Sequence, residues 1–310
     1  MITAICLNPC IDKTVEIDAF TFGGMNRIQS ARLDGSGKGV NVAIACRQLG
    51  LDSTCLGFLY EDNGKLISQR MGDAGVCVDV LWEPGAVRTN TKLLERASGI
   101  ITEINEKGML VSETQMAALR AQVADYATRS SLMVFTGSLP PGCPPDTYRQ
   151  LMDAAMAQGC KCLLDAEGAV FEQGLASVPF MVKPNQFELE QAVGHILSTQ
   201  QDILHAAQEI IARGVSVVVV SMGGDGALAT NGREAYYAPV LRVQVNSTVG
   251  AGDSMVAGLC AAYEANMPFA DMLRHGVAAA TASVTTTGTG LIDVAKYREL
   301  LSCVQLEALA

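Results

Sequence analysis

Hydrophobic and polar positions follow two different patterns along the chain. Wholly apolar runs recur between polar stretches, and such runs are typical of strands covered on both faces of a parallel sheet. Other segments alternate apolar with polar residues, which predicts strands with one face in water. Strands of the first kind are predicted at 2–7, 53–59, 132–136, 160–165, 180–182 and 215–220, and strands of the second kind at 14–18, 27–33, 88–95 and 100–105.

Helical patterns fill the intervals between the apolar runs. They are predicted at 64–74, 114–129, 146–158 and 201–213, and two further helices follow the glycine-rich stretches at 35–39 and 250–252. Strands that alternate with helices predict a three-layer α/β fold, in which helices cover both faces of a mostly parallel sheet. No linker divides the chain, so residues 1–310 are expected to form one domain. The half-exposed strands of about 13–33 and 86–107 would be inserted in it as a small β lid.

Composition narrows the class of protein. A hydrophobic content of 49% is enough to bury a core, whereas a net charge of −10 and a pI near 4.8 argue against a nucleic-acid or membrane-surface partner. The ten cysteines are scattered singly, which is typical of thiols in a reducing compartment and argues against structural zinc. The N-terminus lacks a basic signal-peptide region, and no apolar run reaches the ~20 residues that span a bilayer. A cytoplasmic protein is expected.

The stretch 246–253 ends in Gly250, Ala251, Gly252 and Asp253, directly before an apolar segment with helical spacing. The first turn of a helix has unpaired backbone N–H groups and about half a positive charge, so it attracts phosphate. Small residues let the backbone close on the anion, which leaves the Asp253 carboxylate beside it to accept a proton. The helix terminus also stabilises the ionised carboxylate, so Asp253 is expected to be a weak base. An ordinary helix start would give the same local pattern.

Residues 35–39, Gly-Ser-Gly-Lys-Gly, form a second glycine-rich stretch before a helix. Lys38 is followed by Gly39 and not by Ser or Thr, which excludes a Walker phosphate loop, and the spacing does not match the dinucleotide pattern. The glycines are expected to let a small polar ligand approach the backbone. A flexible turn with a solvated lysine is the alternative.

Further polar stretches follow the buried strands, at the edge where parallel sheets bind ligands. They contain Ser138, then Lys183, Asn185 and Glu188, and finally Ser221 with Gly223, Gly224 and Gly226. Taken alone, Glu188 also fits a helix start, and the glycines also fit an ordinary turn.

Together these stretches resemble a known family. Residues 37–43 and 247–258 are similar to the two signatures of the ribokinase-like (pfkB) carbohydrate kinases, and the likeness extends through 7–12, 88–92, 136–142, 183–188 and 221–226. It thus covers nearly the whole chain and is nearest to the branch that phosphorylates hexose phosphates, the 1-phosphofructokinases and tagatose-6-phosphate kinases. Ser36 departs from the family, which usually has consecutive glycines before the lysine.

The resemblance implies a role for each matching residue. Asp253 takes the proton from the sugar hydroxyl, and Gly250, Ala251 and Gly252 supply a backbone anion hole. The substrate is held by Asp12, Arg27, Gly37, Lys38, Gly39, Asn41, Arg88, Asn90, Lys92 and Ser138. The nucleotide is bound by Lys183, Asn185, Ser221, Gly223, Gly224 and Gly226, and Mg²⁺ is organised by Glu188 and Asn185.

The implied reaction is the ATP- and Mg²⁺-dependent phosphorylation of a hexose phosphate, with fructose 1-phosphate as the first candidate substrate. Tagatose 6-phosphate is the alternative, followed by fructose 6-phosphate. A non-catalytic sugar-phosphate-binding protein on the same fold is the alternative from a different class. Lids of this kind often pair between subunits, and exposed strand edges favour such pairing, so a homodimer is also implied.

Overall fold

Strands and helices alternate along most of the chain. The computed structural model describes residues 1–286 and 290–309, whereas residues 287–289 and 310 of the predicted domain lie outside the described residues. The strands are β1 (Ile2–Cys6), β2 (Cys10–Ile17), β3 (Ser30–Ser36), β4 (Ser53–Tyr60), β5 (Cys77–Val78), β6 (Leu81–Glu83), β7 (Arg88–Glu95), β8 (Ile101–Asn105), β9 (Leu132–Thr136), β10 (Lys161–Asp165), β11 (Met181–Val182), β12 (Val217–Ser221), β13 (Ala227–Thr230), β14 (Ala235–Ala238) and β15 (Glu307–Ala308). The helices are α1 (Lys38–Gln48), α2 (Lys65–Asp73), α3 (Glu113–Ala127), α4 (Thr147–Met156), α5 (Gly168–Leu175), α6 (Gln186–Val193), α7 (Gln200–Ala212), α8 (Ala251–Glu264), α9 (Phe269–Val284) and α10 (Val294–Leu301).

The main sheet has eleven strands, in the order β15-β14-β13-β12-β11-β10-β9-β1-β4-β5, with β6 also paired to β4. Pairing is parallel from β12 to β5 and antiparallel from β12 to β15. Every residue of β1, β4 and β9 is buried, as their apolar runs predict for strands covered on both faces. The prediction of a mostly parallel sheet is confirmed.

Helices form a layer on each face of the main sheet. One group contains α1, α2, α8, α9 and α10, with α8 packed against both α1 and α9. The other contains α3 to α7, each packed against the next along the chain. The predicted three-layer arrangement is therefore confirmed. Within the described residues, no helix combines the length and the apolarity needed to cross a membrane.

A separate four-stranded sheet, in the order β3-β2-β7-β8, is formed by the segments with alternating patterns, and we call it the lid sheet. Strand β2 pairs antiparallel with β3 and parallel with β7. The strands extend beyond the predicted bounds of 13 and 33, because pairing continues from Cys10 to Ser36. Asp12 therefore lies within a strand of the lid sheet.

Candidate active site

A cavity of about 840 Å³ lies between the carboxyl ends of the central strands and the lid sheet. All of the predicted site residues except Arg27 and Gly39 line its walls. Arg27 is exposed in the loop between β2 and β3. Gly39 is buried under the cavity, where a Cβ atom would lie 2.5 Å from the carbonyl oxygen of Ile5, so it allows α1 to pack closely on β1. Neither residue therefore lines the cavity, and their substrate contacts stay a prediction.

Asp253 lies in the first turn of α8 and is buried, with 6% of its surface exposed. Its Oδ2 atom accepts a hydrogen bond of 2.9 Å from Asn41 Nδ2 in α1. Burial and, to a smaller extent, the nearby Asp165 raise the pKa of Asp253, whereas Lys38, Asn41 and Lys183 lower it, and the net result is a pKa of about 6. The expectation of a weak base is wrong, because desolvation outweighs the helix terminus and the neighbouring cations.

The turn before α8 and the start of this helix form part of the cavity wall. Gly250 adopts a left-handed conformation (φ 79°), and among the described residues no side chain caps the helix. The Ala251 N–H donates to Thr248 O at 3.3 Å, so Gly252 and Asp253 carry the N–H groups best suited to an anion. A Cβ atom at Gly252 would lie 3.7 Å from Lys183 Nζ, which brings an ammonium group to the same place.

Asp165, at the carboxyl end of β10, is a site residue that the sequence reasoning missed. Its carboxylate is buried and lies 3.1 Å from Lys183 Nζ and 3.8 Å from Lys38 Nζ, and it accepts a 2.9 Å hydrogen bond from Thr136 Oγ1. Burial raises its pKa, but the two lysines and the hydroxyl outweigh that effect and lower the pKa to about 2. Its position at a strand end was the only signal available, because the lysines come from distant segments.

Asn185 and Glu188 cap helix α6 reciprocally. Asn185 Oδ1 accepts from the Glu188 N–H and Glu188 Oε2 accepts from the Asn185 N–H, both at 2.8 Å. This reciprocal capping agrees with the alternative interpretation of Glu188 as part of a helix start. The two hydrogen bonds also hold both side chains against the cavity wall. Burial raises the pKa of Glu188, and Asp165 adds to the shift. A cation beside Glu188 would lower this pKa again and favour the ionised form.

Arg88 and Ser138 lie together at the end of the cavity nearest the lid sheet. Arg88 Nη2 donates to Asn8 O at 3.1 Å and to Ser138 Oγ at 3.4 Å, and Asn8 Nδ2 donates to the same hydroxyl at 3.2 Å. Within the described residues, no group accepts from the buried Arg88 Nε atom. This cluster of donors can bind an anionic group. Asn8, which the sequence reasoning did not assign, positions both the hydroxyl and the guanidinium.

Asp12, Asn90 and Lys92 extend from the lid sheet over the cavity. Lys92 Nζ donates to Asp12 Oδ2 at 3.4 Å, and Asp12 is 5% exposed. Asn90 Oδ1 is buried, and no group in the described part of the chain donates to it. Carboxylate and amide oxygens in such a position can accept hydrogen bonds from hydroxyl groups of a ligand.

The opposite end of the cavity is a glycine turn after β12 with an apolar wall beyond it. The Ser221 N–H donates to Pro184 O at 3.1 Å, which joins the turn to the segment before α6. A Cβ atom at Gly226 would lie 2.1 Å from Ala238 O, so this turn requires glycine. The apolar wall, which the sequence reasoning did not identify, contains Val240, Leu241, Val243, Val277, Ala280 and Val284. Such a wall can accept a flat aromatic ring.

The described residues do not contain a cluster of three His, Cys, Asp or Glu side chains that could hold a metal ion. At the start of α6, the buried Glu188 carboxylate and the Asn185 amide line the cavity. Mg²⁺ usually keeps several water ligands and takes one or two carboxylates, so this donor set fits a hydrated Mg²⁺ ion.

A protein family, individual relatives and solved structures each match this chain over nearly its whole length. Residues 2–295 match the pfkB family of carbohydrate kinases. The chain is 34% identical to a 1-phosphofructokinase of Vibrio cholerae over 99% of its own length and 97% of the relative. It superposes on Escherichia coli phosphofructokinase-2, crystallised with substrates and products, with a TM-score of 0.92, 30% identity and coverage of 98% and 99%. Arabidopsis thaliana ribokinase, complexed with ribose and ATP, has a TM-score of 0.81 at 22% identity over 97% and 98%, and the predicted ribokinase-like fold is confirmed.

Proposed function

Because the chain belongs to the pfkB family of carbohydrate kinases, we propose that it transfers the γ-phosphoryl group of ATP to fructose 1-phosphate. The products would be fructose 1,6-bisphosphate and ADP. The observation that carries this proposal is the full-length similarity to a 1-phosphofructokinase. The cavity supports it, since a buried carboxylate, a helix N-terminus and several cations surround one space.

We assign the proton acceptor to Asp253. A carboxyl whose pKa lies near 6 is mostly ionised at neutral pH and can still take a proton from a hydroxyl as the oxygen attacks. Asn41 orients the carboxylate. Phosphoryl transfer has a loose transition state in most analyses, so positioning and charge stabilisation supply most of the rate enhancement.

The charge that develops on the transferred group would be balanced by the start of α8 and by two lysines. Gly250, Ala251 and Gly252 form the anion hole, and the Ala251 N–H of this turn also donates to the Thr248 carbonyl oxygen. Lys183 and Lys38 hold their ammonium groups beside it, both oriented by Asp165. A fixed cation in a site that excludes water stabilises a transition state more strongly than a mobile one.

The phosphate already on the sugar would bind Arg88 and Ser138, with Gly37 close by. Asp12, Asn90 and Lys92 would bind the sugar hydroxyls and help to cover the substrate. A carboxylate and an amide oxygen are suitable acceptors for hydroxyl groups, and the unpartnered Asn90 Oδ1 supports this assignment. Gly39 would affect the substrate site only through the packing of α1 on β1. Arg27 would need to move, or to reach the site of another subunit, to contact the substrate.

Kinase activity of this family implies the use of ATP. Its base would lie on the apolar wall, and its phosphates would follow Ser221, Gly223, Gly224 and Gly226 toward Lys183. We also propose that Asn185 and Glu188 hold a hydrated Mg²⁺ ion, which when bound would neutralise phosphate charge. The ten reduced cysteines suit a cytoplasmic enzyme.

A homodimer through the lid sheet is part of the proposal. Strands β3 and β8 form the edges of that sheet, and all five residues of β8 are exposed. Ile101, Ile104 and Phe22 expose 59%, 63% and 95% of their surface. Exposed edges with apolar side chains favour pairing with a second copy. Sedimentation velocity should give a dimer for the wild type and a shift toward monomer for Ile101→Glu/Ile104→Glu.

One specific observation favours a second substrate. Escherichia coli phosphofructokinase-2 in complex with fructose 6-phosphate has a TM-score of 0.90 with this chain, which supports fructose 6-phosphate as the second candidate, beside the tagatose 6-phosphate that the sequence suggested. ADP release should be measured with fructose 1-phosphate, fructose 6-phosphate and tagatose 6-phosphate under the same conditions. The highest kcat/KM is expected for fructose 1-phosphate. A clear preference for either other sugar would contradict the proposed substrate, and binding without turnover of any sugar would favour the non-catalytic alternative.

A further inference from the structure

We propose that Arg70 is a positioning residue for Asp253 and that it acts through the side chain of Asn41; this inference rests on the proposed role of Asp253 as the base. Arg70 lies in α2 and is partly buried. Its Nη1 atom donates to Asn41 Oδ1 at 3.1 Å, and Asn41 Nδ2 donates to Asp253 Oδ2 at 2.9 Å. One hydrogen-bond chain thus joins α2, α1 and α8.

The guanidinium determines which way the Asn41 amide faces. A guanidinium can only donate hydrogen bonds, so the amide must turn its oxygen to Arg70. The NH₂ group then faces Asp253 and donates to the carboxylate, which favours the ionised form. Without Arg70, the amide could rotate and bring its oxygen to the carboxylate, where the two acceptors repel each other. Asn41 therefore orients the carboxylate with the help of Arg70, which fixes the amide.

Arg70 also connects this chain to the lid sheet. Its Nη1 atom donates to the carbonyl oxygen of Gly35, in β3, at 2.5 Å. A Cβ atom at Gly35 would lie 2.9 Å from the Cα atom of Ile67, so glycine allows β3 to lie directly on α2. Ser36, the departure from the family pattern, follows Gly35, and its Oγ atom lies 3.5 Å from Asn41 Nδ2. Arg70 therefore contacts both the end of the lid sheet and the Asn41 amide.

Other charged groups near Asp253 also influence its pKa. The test must therefore separate a direct charge effect of Arg70 from an effect that passes through the Asn41 amide. Arg70 is itself attracted by Asp253, and Asp253 is near charged or titratable groups on α1, β1, β10 and the segment after β11. These groups are Lys38, Cys6, Asp165 and Lys183. Loss of a distant positive charge would also raise the pKa of Asp253. A role through Asn41 must therefore depend on the presence of the amide.

The test measures the Asp253 carboxyl itself by ¹³C NMR, in protein labelled at the aspartate side-chain carboxyl carbons. The Asp253 signal is assigned from its absence in Asp253→Asn. Arg70→Met should raise the Asp253 pKa by roughly one unit, because a hydrogen bond to the charged form and a nearby cation are both weakened. Arg47→Met is the matched control, since it removes a helical arginine whose carboxylate partner is the exposed Asp52. The control should leave the pKa unchanged.

The same substitution in an Asn41→Ala background separates the two causes. The shift produced by Arg70→Met should then fall to less than half, because the amide that transmits it is gone. An equal shift in both backgrounds, or an unchanged pKa in Arg70→Met itself, would overturn the proposal. Near-UV circular dichroism checks that each variant is folded, and Arg70→Gln, with the same criteria, replaces Arg70→Met if the latter does not fold.

Turnover gives a second, separate measurement. If the wild type phosphorylates fructose 1-phosphate, Arg70→Met should lower kcat more at pH 6 than at pH 8 and change KM little. The NMR titration needs no turnover. An inactive wild type would therefore contradict the proposed function, whereas the Asp253 pKa would still decide whether Arg70 acts through Asn41.

Discussion

The start of α8 and the carboxyl end of β10 each bury one aspartate in the same cavity, yet the two carboxyl groups have pKa values on opposite sides of the usual value. Asp165 lies 3.1 Å and 3.8 Å from two lysine ammonium groups, and its pKa is about 2. Asp253 accepts a neutral amide hydrogen bond, has no ion pair within 4.0 Å among the described residues, and has a pKa of about 6. Burial raises both pKa values, so direct pairing with cations makes the difference.

This difference suits the two carboxylates to different roles, a structural one for Asp165 and the proposed role of base for Asp253. A permanently ionised Asp165 keeps the two lysines in place but cannot exchange a proton near neutral pH. Asp253 can exchange one, since its pKa is close to the working range. The lysines also link the groups, because they lower both pKa values while they bind only Asp165 closely. At pH 7, Asp165→Asn should therefore destabilise the fold, whereas Asp253→Asn should stabilise it.

The largest expected effect is on turnover. Asp253→Asn should lower kcat by about 10²–10⁴-fold, the usual contribution of a general base, while sugar binding is largely retained. Steady-state kinetics and calorimetric sugar binding check both parts. Asp202→Asn is a matched control, because Asp202 occupies the same third position of α7 but lies outside the cavity. Unchanged turnover in Asp253→Asn would remove Asp253 from the role of base.

The second effect is on stability. Asp165→Asn should lower the free energy of unfolding by about 3 kcal/mol, because breaking a buried ion pair leaves the buried Lys183 ammonium without its counter-charge. Urea denaturation at pH 7 measures the change. Asp125→Asn, which removes an exposed ion pair with Arg129, should change stability little. An Asp165→Asn variant as stable as the wild type would show that the lysines are held by other contacts.

The sequence predicted most of the fold and most of the members of the site, but not their electrostatics. Buried strands such as β9 and β1 are apolar runs with no competing interpretation, and most residues of the glycine-rich stretches at 35–39 and 250–252 line the cavity. Asp165 was missed because a single aspartate at a strand end carries no distinctive pattern. The proton affinity of Asp253 was predicted in the wrong direction, since the helix terminus is visible locally whereas burial depends on segments far along the chain.

Short elements were missed for a related physical reason. Helix α5 has eight residues and strands β13 and β14 have four each, too few to show a clear period. Arg70 was also overlooked, because in sequence it is one of several polar residues in α2. Its importance comes from Asn41 and Gly35, which only the folded chain brings to it.

A third effect, at most as large as the second, is on stability with the opposite sign. The pKa of Asp253 is raised from 3.8 to about 6 in the folded protein, so the ionised carboxylate disfavours folding. Because the folded state binds this proton more tightly than the unfolded state, protonated Asp253 contributes to the free energy of unfolding. The contribution is complete below pH 3.8 and is lost as the pH rises through 6. Asp253→Asn should therefore be more stable than the wild type at pH 7, by up to about 3 kcal/mol.

Urea denaturation across pH 4–8 checks this sign. The stability advantage of Asp253→Asn should be small near pH 4 and should grow until the pH exceeds the pKa of Asp253. Asp165→Asn should not show this growth, since the pKa of Asp165 lies below the range tested. An Asp253→Asn variant that is less stable than the wild type at pH 7 would show that the ionised carboxylate is well stabilised.

The smallest effect is the pH dependence of the wild type, which compares the two carboxyl groups in one protein. As the pH falls, kcat/KM should halve near pH 6, where Asp253 takes up a proton, and Asp165 should contribute nothing above pH 4. Phosphate groups of the substrates also titrate near pH 6, so their own pKa values must be measured by ³¹P NMR. A kinetic limb fully explained by phosphate titration would mean that Asp253 titrates outside this range. If a fall in kcat/KM remains after that correction, and if its midpoint moves to higher pH in Arg70→Met, the fall is assigned to protonation of Asp253.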